Sequence, residues 1–411
     1  MGEHRTPARA QTQAVPEGLG RPEPARASGA ADAILRLQRS VGNRRTAAMV
    51  HAAPARQLQR YKILGPWNAG QAVHETLTLL AVGKAIEQLK AAGKDRGELL
   101  EGFDTGQLPS LEDRKGHKYD PAKAQKSHQQ FIRGVVWADD PMGLLFDEEQ
   151  GTSNYSSGLL WYHHYKRGEK GKFDPDDLVA RSHFGDLQFF HGMASKDDES
   201  PKVTKGHMLN WARFLIDVAT GRTPADTRLK DVAGVKDLFP ANADWTIKRL
   251  FGWAKASDKD TRQRAVGALF HMIQDSYAHG HVERDERTGD ILEFHAYGHQ
   301  DEGKHGKYDY FAEGRTLGER IARTVGAATA IDRCADVLTL IAGGESTDTI
   351  LLYLDDVVLR FADGARLSGP GTGLGKKGGP TPTPKPTPPE PLPQGAGDYP
   401  LPEADRTTAL S

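Results

Sequence analysis

The sequence predicts an all-α protein, with a single multi-helix domain between two disordered tails. Apolar residues recur at helical spacing in residues 72–92, 178–193, 206–219, 244–256, 261–279, 314–325, 335–341 and 349–361, whereas strand-like alternation is scarce. Residues 72–92 are apolar around so much of the helix circumference that we expect a largely buried helix. We place the folded domain at residues 61–365, between tails at 1–60 and 366–411.

Both tails have compositions that disfavour a packed core. Residues 1–29 are rich in Pro, Ala, Arg and Gly, and residues 369–411 contain eleven of the 24 prolines. The first 60 residues hold ten arginines and four acidic residues, which leaves 44 basic and 51 acidic residues in the rest of the chain. An acidic body disfavours nucleic acid as a partner, because nucleic-acid binding usually needs a basic surface.

Cysteine usage and hydropathy restrict the cellular setting. Cys334 is the only cysteine, so an internal disulfide is excluded. The N-terminus lacks the apolar segment of an ordinary signal peptide, and no stretch of about eighteen uncharged apolar residues predicts a membrane-spanning helix. We expect synthesis in the cytoplasm and, for any export, a route other than an ordinary signal peptide. Peripheral contact with a membrane is compatible with this expectation.

The N-terminal tail contains one short helical pattern, in residues 30–50. Its text LQRSVGNRR resembles the LQR-x-x-GN segment near the start of many bacterial proteins associated with extracellular contractile injection systems. The resemblance covers this segment alone. It implies a bacterial protein with an address for loading or export, whose partner is the injection-system tube or a loading factor.

Histidines are concentrated in residues 268–309. This window holds six of the sixteen histidines, where even scattering would place about one or two. His271 and Asp275 are four residues apart in an apolar run, so they share one face of a predicted helix. His305 and Asp309 repeat the spacing. Neutral imidazoles and carboxylates that converge on helix faces are typical of a zinc site.

Further candidate ligands lie upstream and just after the predicted helix. The order of residue types is Trp67, His74, Asp139, His183, His271-x3-Asp275-x5-His281 and His305-x3-Asp309. This order resembles the zinc-dependent phospholipase C and S1/P1 nuclease superfamily, an all-α fold with three zinc ions. The WAD text and the H-x3-D-x5-H block are similar to the nuclease branch, and KHGKYDYFAEGR is similar to the bacterial phospholipase branch.

The resemblance implies two or three zinc ions with separate ligand sets. One ion would be bound by Asp139, His183, His271 and Asp275. The second would be bound by His281, His305 and Asp309. The third would be bound by His74, the main chain of Trp67 and Asp275 as a bridge. Asp139 is the expected catalytic residue, which would orient the attacking water or accept its proton.

Departures from the family pattern leave alternatives open. Trp67 is internal, whereas the family's tryptophan is the first residue of the mature enzyme. The gap between Asp139 and His183 is longer than is usual, so His163 or His164 could be the ligand instead. Asp140 is chemically equivalent to its neighbour. The remaining candidates that could replace a chosen ligand are His191, His279, His295 and His299.

The expected function is zinc-dependent hydrolysis of a phosphodiester, most simply a phospholipid headgroup, by a phospholipase C-like toxin or effector delivered by an injection system. One alternative is an S1/P1-like single-strand nuclease. Another is a non-catalytic cargo protein in which metal only stabilises the fold.

Overall fold

The structure, a computed structural model, describes residues 72–112, 129–144, 146–147, 152–153, 155–252, 256–308 and 310–376. Trp67, Asp309, the LQRSVGNRR segment and most of both predicted tails lie outside these ranges. The described part is mostly helical, as predicted.

The helices are separated by short connections and occasional 3-10 turns. They are α1 (Val73–Ala91), α2 (Gly97–Leu100), α3 (Gln129–Val136), α4 (Tyr155–Glu169), α5 (Leu178–Phe184), α6 (Pro201–Ala219), α7 (Ile247–Leu250), α8 (Asp258–Asp275), α9 (Glu302–His305), α10 (Leu317–Arg323), α11 (Ala327–Ala342) and α12 (Thr347–Tyr353). The strands form two antiparallel pairs, β1 (Phe146–Asp147) with β2 (Thr152–Ser153) and β3 (Val282–Arg284) with β4 (Ile291–Phe294).

Helix α8 is the centre of the fold and packs against α1, α3, α6 and α11. It begins at a capping box, in which the Ser257 side chain accepts from the Asp260 amide and the Asp260 carboxylate accepts from the Ser257 amide. From Thr261 onward nearly every residue is buried. A helix covered on all sides can present polar side chains to a dry interior, and this is where the histidines of α8 lie.

Two glycines let α3 and α8 cross at backbone contact. A Cβ atom on Gly267 would lie 2.3 Å from the carbonyl oxygen of Phe131, and one on Gly134 would lie 2.2 Å from that of Arg264. No other residue type fits at these positions without movement of a backbone. The close crossing brings the carbonyl of Val135 within hydrogen-bond distance of His271.

The predicted helix at residues 178–193 is interrupted. Gly185 ends α5, and a 3-10 segment, Gln188–His191, follows. Gly192 then adopts a left-handed conformation with φ of 64°, and its Cα packs so closely on α8 that a Cβ would lie 3.0 Å from the amide nitrogen of Ser276. The turn therefore fixes His191 against the C-terminal end of α8.

Other regions also differ from the sequence-based expectation. Residues 155–169, not predicted as a helix, form α4, and residues 282–294 form the β3–β4 hairpin rather than helix or loop. Residues 366–376, assigned by sequence to the C-terminal tail, pack along this hairpin: the Ala296 amide donates to Gly369, and Leu374 is fully buried. The ordered body thus continues beyond the predicted boundary at residue 365.

Within the described ranges, no helix has both the length and the apolar character needed to cross a membrane.

Candidate metal centre

Six histidines and two aspartates from separate elements gather around the C-terminal end of α8. They are His74 from α1, Asp139 after α3, His183 from α5, His191 from the 3-10 segment, His271 and Asp275 from α8, His281 from the following turn and His305 from α9. We call this set the Asp275 cluster.

Asp275 lies at the centre of the cluster and is 1% exposed. Its Oδ2 atom is 2.9 Å from His271 Nε2, 3.1 Å from His191 Nδ1 and 3.3 Å from His281 Nδ1. Its Oδ1 atom is 3.3 Å from His74 Nε2. One carboxylate thus faces imidazoles from four parts of the chain, which is the arrangement expected of a bridging metal ligand.

Three histidines of the cluster are held in the same tautomer by the backbone. In each, Nδ1–H donates to a carbonyl oxygen, so Nε2 carries the lone pair that a metal ion requires. The pairs are His271 with Val135 at 2.6 Å, His281 with His191 at 2.6 Å and His183 with Val179 at 2.9 Å. A carbonyl acceptor on the far nitrogen is the usual support of a metal-binding histidine.

A side-chain amide orients the fourth imidazole. Gln274 Nε2 donates to Thr78 Oγ1 at 2.9 Å, which points Gln274 Oε1 towards His74 Nδ1 at 2.7 Å. His74 Nδ1–H therefore donates to the amide oxygen, and Nε2 faces Asp275. The ring of His74 stacks on that of His271 with centroids 4.2 Å apart.

Asp139 is the most exposed member of the Asp275 cluster, with 18% of its side chain accessible against 6% or less for His183, His191 and His271. Its Oδ1 is 3.8 Å from both His183 Nε2 and His191 Nδ1. The Trp161 indole donates to its carbonyl oxygen at 2.7 Å. The Asp275 cluster thus reaches solvent at the carboxylate of Asp139, and the main chain of Asp139 is held by this hydrogen bond.

Mutual electrostatics keep the two carboxylates ionised. Burial favours the neutral acid, but the imidazoles of His281 and His271 hold the pKa of Asp275 well below its usual range. The pKa of Asp139 is also lowered, chiefly by His271 and His191, against the effect of burial. In the absence of metal the buried charge of Asp275 is balanced by His74: burial opposes its protonation, but Asp275 outweighs burial and raises the pKa of His74 to about 9.

The donor set fits divalent metal ions. Three groups of side chains each have ligand atoms within 4.8 Å of one another, namely His74–Asp139–His271, Asp139–His183–His191 and His191–His271–Asp275. The last group has separations of 2.9 to 3.1 Å, close to the edge of about 3.3 Å of a tetrahedron with zinc bonds of about 2.0–2.1 Å. His191 takes part in this group through its Nδ1 atom.

The structure brings both His183 and His191 to Asp139, whereas the alternatives at 163 and 164 lie elsewhere. His164 Nδ1 is 2.9 Å from an oxygen of Asp177, and His163 is exposed. From the sequence, His191 was one of several histidines that could replace a chosen ligand. In the structure it contacts both Asp139 and Asp275. No local sequence signal separates it from the other candidate imidazoles.

Of the three ligands predicted for the second ion, the structure describes His281 and His305. The rings of His281 and His305 stack with centroids 5.7 Å apart, and Tyr297 packs edge-on against His305 at 4.4 Å. Asp309, the third predicted ligand of this set, and Trp67, predicted for the third ion, lie outside the described residues. Asp140 has another role, because its carboxylate accepts from the Leu144 amide at 2.7 Å and holds the turn after α3.

The other spare imidazoles occupy different surroundings. His299 is exposed and paired with Asp197, and His279 packs beside Tyr308 with ring centroids 5.8 Å apart. His295 belongs to a separate group with Glu283 and Glu293.

Comparison of the chain with models of protein families, with curated proteins and with solved structures finds no match. The function is therefore inferred from the chemistry of the Asp275 cluster and from the order of its candidate ligands along the chain.

Proposed function

We propose that this chain is a metal-dependent phosphodiester hydrolase of the phospholipase C type, with two or three zinc ions bound by the Asp275 cluster. The observation that supports it most directly is the convergence of imidazoles on Asp275, with two of them, His271 and His281, fixed by backbone carbonyls. Imidazole and carboxylate donors in a buried site suit zinc. The ordered resemblance to the phospholipase C and S1/P1 nuclease superfamily supplies the reaction class.

The proposed ligands are distributed around Asp275 and Asp139. Asp139, His191, His271 and Asp275 would hold one ion, with His183 as an additional donor at Asp139. His281 and His305, with Asp309, would hold a second. His74 with Asp275 would hold a third. Bound zinc would lower the pKa of a water molecule and neutralise negative charge on the phosphoryl oxygens.

Asp139 would act on the attacking water. It is an ionised carboxylate and the most solvent-exposed member of the cluster, so water can reach it. The water oxygen would form the new bond to phosphorus as its proton passes to a carboxylate oxygen of Asp139, and the bond between phosphorus and the leaving alcohol oxygen would break as that oxygen takes a proton from solvent water. The buried histidines and Asp275 remain fixed, because each is tied to backbone or to a neighbouring ring.

A phospholipid headgroup is the preferred substrate. Beyond the first 60 residues the chain carries 44 basic and 51 acidic residues, which disfavours the long phosphate backbone of a nucleic acid. We also propose that the N-terminal LQRSVGNRR segment directs the protein to a contractile injection system. A single-strand nuclease and a metal-stabilised, non-catalytic cargo protein are the competing functions.

The test compares two substrates on full-length protein refolded with zinc. Hydrolysis of p-nitrophenylphosphorylcholine but not of single-stranded DNA is the expected result, and the reverse preference would favour the nuclease. Asp275→Asn should lower the rate more than about 100-fold, since loss of groups that only support metal ligands already costs about 10–100-fold. The matched control is Asp258→Asn at the other end of α8, where the side chain is 72% exposed. Fully metal-loaded protein that cleaves neither substrate would leave only the non-catalytic function.

A further inference from the structure

A second group of metal-binding side chains lies on the β3–β4 hairpin. Glu283 on β3 and Glu293 on β4 are directly opposite each other in the antiparallel register. His295 follows two positions after Glu293, so all three side chains extend from the same face of the hairpin. Ligand atoms of the three lie within 4.8 Å of one another.

The charges of this group are not balanced by the side chains around it. Like charges directly opposite across two strands are destabilising unless a cation lies between them. Arg366 supplies one positive charge, with Nη2 2.6 Å from Glu283 Oε2 and Nε 2.7 Å from Glu293 Oε2. When both carboxylates are ionised, one guanidinium leaves a net negative charge at a site where Glu293 is only 3% exposed.

Two buried atoms of the group lack hydrogen-bond partners among the described residues. They are Glu293 Oε1 and His295 Nε2. His295 is fully buried, and its Nδ1 lies 3.1 Å from the carbonyl oxygen of Gly280. Because a carbonyl can only accept, Nδ1 carries the proton and Nε2 carries the lone pair. This is the metal-binding tautomer found in the Asp275 cluster.

We propose that Glu283, Glu293 and His295 bind a divalent transition-metal ion, zinc or manganese, at a site separate from the Asp275 cluster. One nitrogen and two carboxylate donors suit these ions. Arg366 engages the Oε2 atoms of both glutamates, so Glu293 Oε1 and His295 Nε2 are the donors that only the ion satisfies.

The C-terminal segment, residues 366–376, packs against this site on the hairpin. This segment already contributes Arg366, and Thr372 Oγ1 donates to Glu283 Oε2 at 3.2 Å. Gly371 passes so close to the His295 ring that a Cβ atom there would lie 2.5 Å from it. The His295 amide donates to the carbonyl of His281 at 2.7 Å, so the site also braces a ligand of the Asp275 cluster through the backbone.

The test is metal content by elemental analysis on full-length proteins refolded with zinc, and it does not depend on any hydrolytic activity. Glu293→Gln and Glu283→Gln should each contain one ion per chain fewer than wild type. Glu293→Gln added to Asp275→Asn should remove the same further ion. The matched control Asp363→Asn removes an exposed carboxylate from the same C-terminal region and should keep every ion.

Folded Glu283→Gln and Glu293→Gln proteins with the wild-type zinc content would overturn the site. A loss of the same ion from Asp363→Asn would also overturn it, since that ion would then be bound adventitiously at the surface. Should Glu293→Gln fail to fold, Glu283→Gln decides the question, because Glu283 is 24% exposed and its replacement leaves the buried partner intact.

Discussion

His191 Nδ1 lies 2.9 Å from His271 Nε2, and both atoms face the same carboxylate oxygen of Asp275. His271 Nδ1–H donates a hydrogen bond to the Val135 carbonyl oxygen, so His271 Nε2 carries a lone pair. Two ring nitrogens at this distance repel each other and the carboxylate through their lone pairs unless a proton or a metal ion lies among the three atoms. The pair therefore marks a position at which a divalent ion could replace a proton.

Replacement of His191 should remove one zinc ion from the protein. His191→Gln loses the only side chain that contacts both Asp139 and Asp275 through the same nitrogen, so we expect at least a 10–100-fold weaker site, on the order seen when metal-site partners are lost. Zinc titration with a competing chromogenic chelator measures this affinity. The matched control is His163→Gln, whose side chain is exposed on α4. Equal zinc affinity in the two variants would contradict the assignment of His191.

Gly267→Ala should destabilise the fold where α3 and α8 cross. The added methyl group would lie 2.3 Å from Phe131 O and 2.6 Å from Gly134 Cα, so one helix must move, at a cost of about 1–3 kcal/mol. The control is Gly206→Ala on α6, where nothing lies within 4 Å of the new Cβ and helix propensity predicts a gain of about 0.5–1 kcal/mol. Urea unfolding at 25 °C measures both; a tolerated alanine at position 267 would refute the close crossing.

Metal-free protein should become less stable as the pH rises from 6.5 to 9. The pKa of His74 is raised from 6.5 to about 9 by Asp275 in the folded state, so its stabilising contribution is complete below pH 6.5 and is lost as the pH rises through 9. We expect a loss on the order of 1–3 kcal/mol across this window. Burial lowers the pKa of His191, so its contribution changes only below pH 6.5.

The measurement is urea unfolding, at several pH values, of protein refolded in the presence of a chelator. His74→Gln should abolish the pH dependence between 6.5 and 9. Protein refolded with zinc should also lack it, because a metal ion replaces the proton on His74. An identical slope in wild type and His74→Gln would assign the effect to another group.

Arg181→Gln should weaken both stability and metal binding. The guanidinium is 7% exposed, forms two hydrogen bonds to Asp186 and donates to the carbonyls of Pro175 and Leu238. Loss of these bonds leaves part-buried carbonyl oxygens without their donor, at a cost of about 1–3 kcal/mol. Arg181 lies two residues before His183, so the loss of its contacts should also shift His183 and lower the affinity for zinc.

The control for this variant is Arg228→Gln. Arg228 pairs with Asp244 across side chains that are 56% and 75% exposed, so its loss should cost less than about 1 kcal/mol. Thermal unfolding and zinc titration on both variants separate the effects. Similar losses in the two proteins would show that Arg181 does not position the segment between α5 and His191.

The helices of the interior could be predicted from sequence because their apolar spacing is regular. Helices α1 and α8 lie within one or a few residues of their expected positions. The β3–β4 hairpin was missed because its strands are short and are separated by the polar text DERTGD. Helix α4 was missed since it follows a stretch rich in glycine and serine. Neither segment has a strong periodicity of its own, and both depend on contacts with distant parts of the chain.

For the metal centre, the sequence could supply the order of candidate ligands but not the choice among neighbouring imidazoles. His271 and Asp275 are specified by one helix face, whereas His183 and His191 are eight positions apart in a segment that only folds into two pieces because of Gly185. Both reach Asp139 in the folded structure, and which of them also contacts Asp275 depends on where the 3-10 segment meets α8. Such a choice is made by tertiary packing and has no local signature.

The enclosure of the Asp275 cluster has a consequence for how the ions enter. The histidines and Asp275 are almost inaccessible, and the cluster reaches solvent at Asp139. An ion held by several of these buried side chains is released only when the side chains separate from it, so we expect zinc exchange to require a partial separation of the helices. We expect dissociation to take hours rather than seconds in native buffer and to accelerate in mild denaturant. Ions acquired while the chain folds would then stay with it for the lifetime of the folded protein.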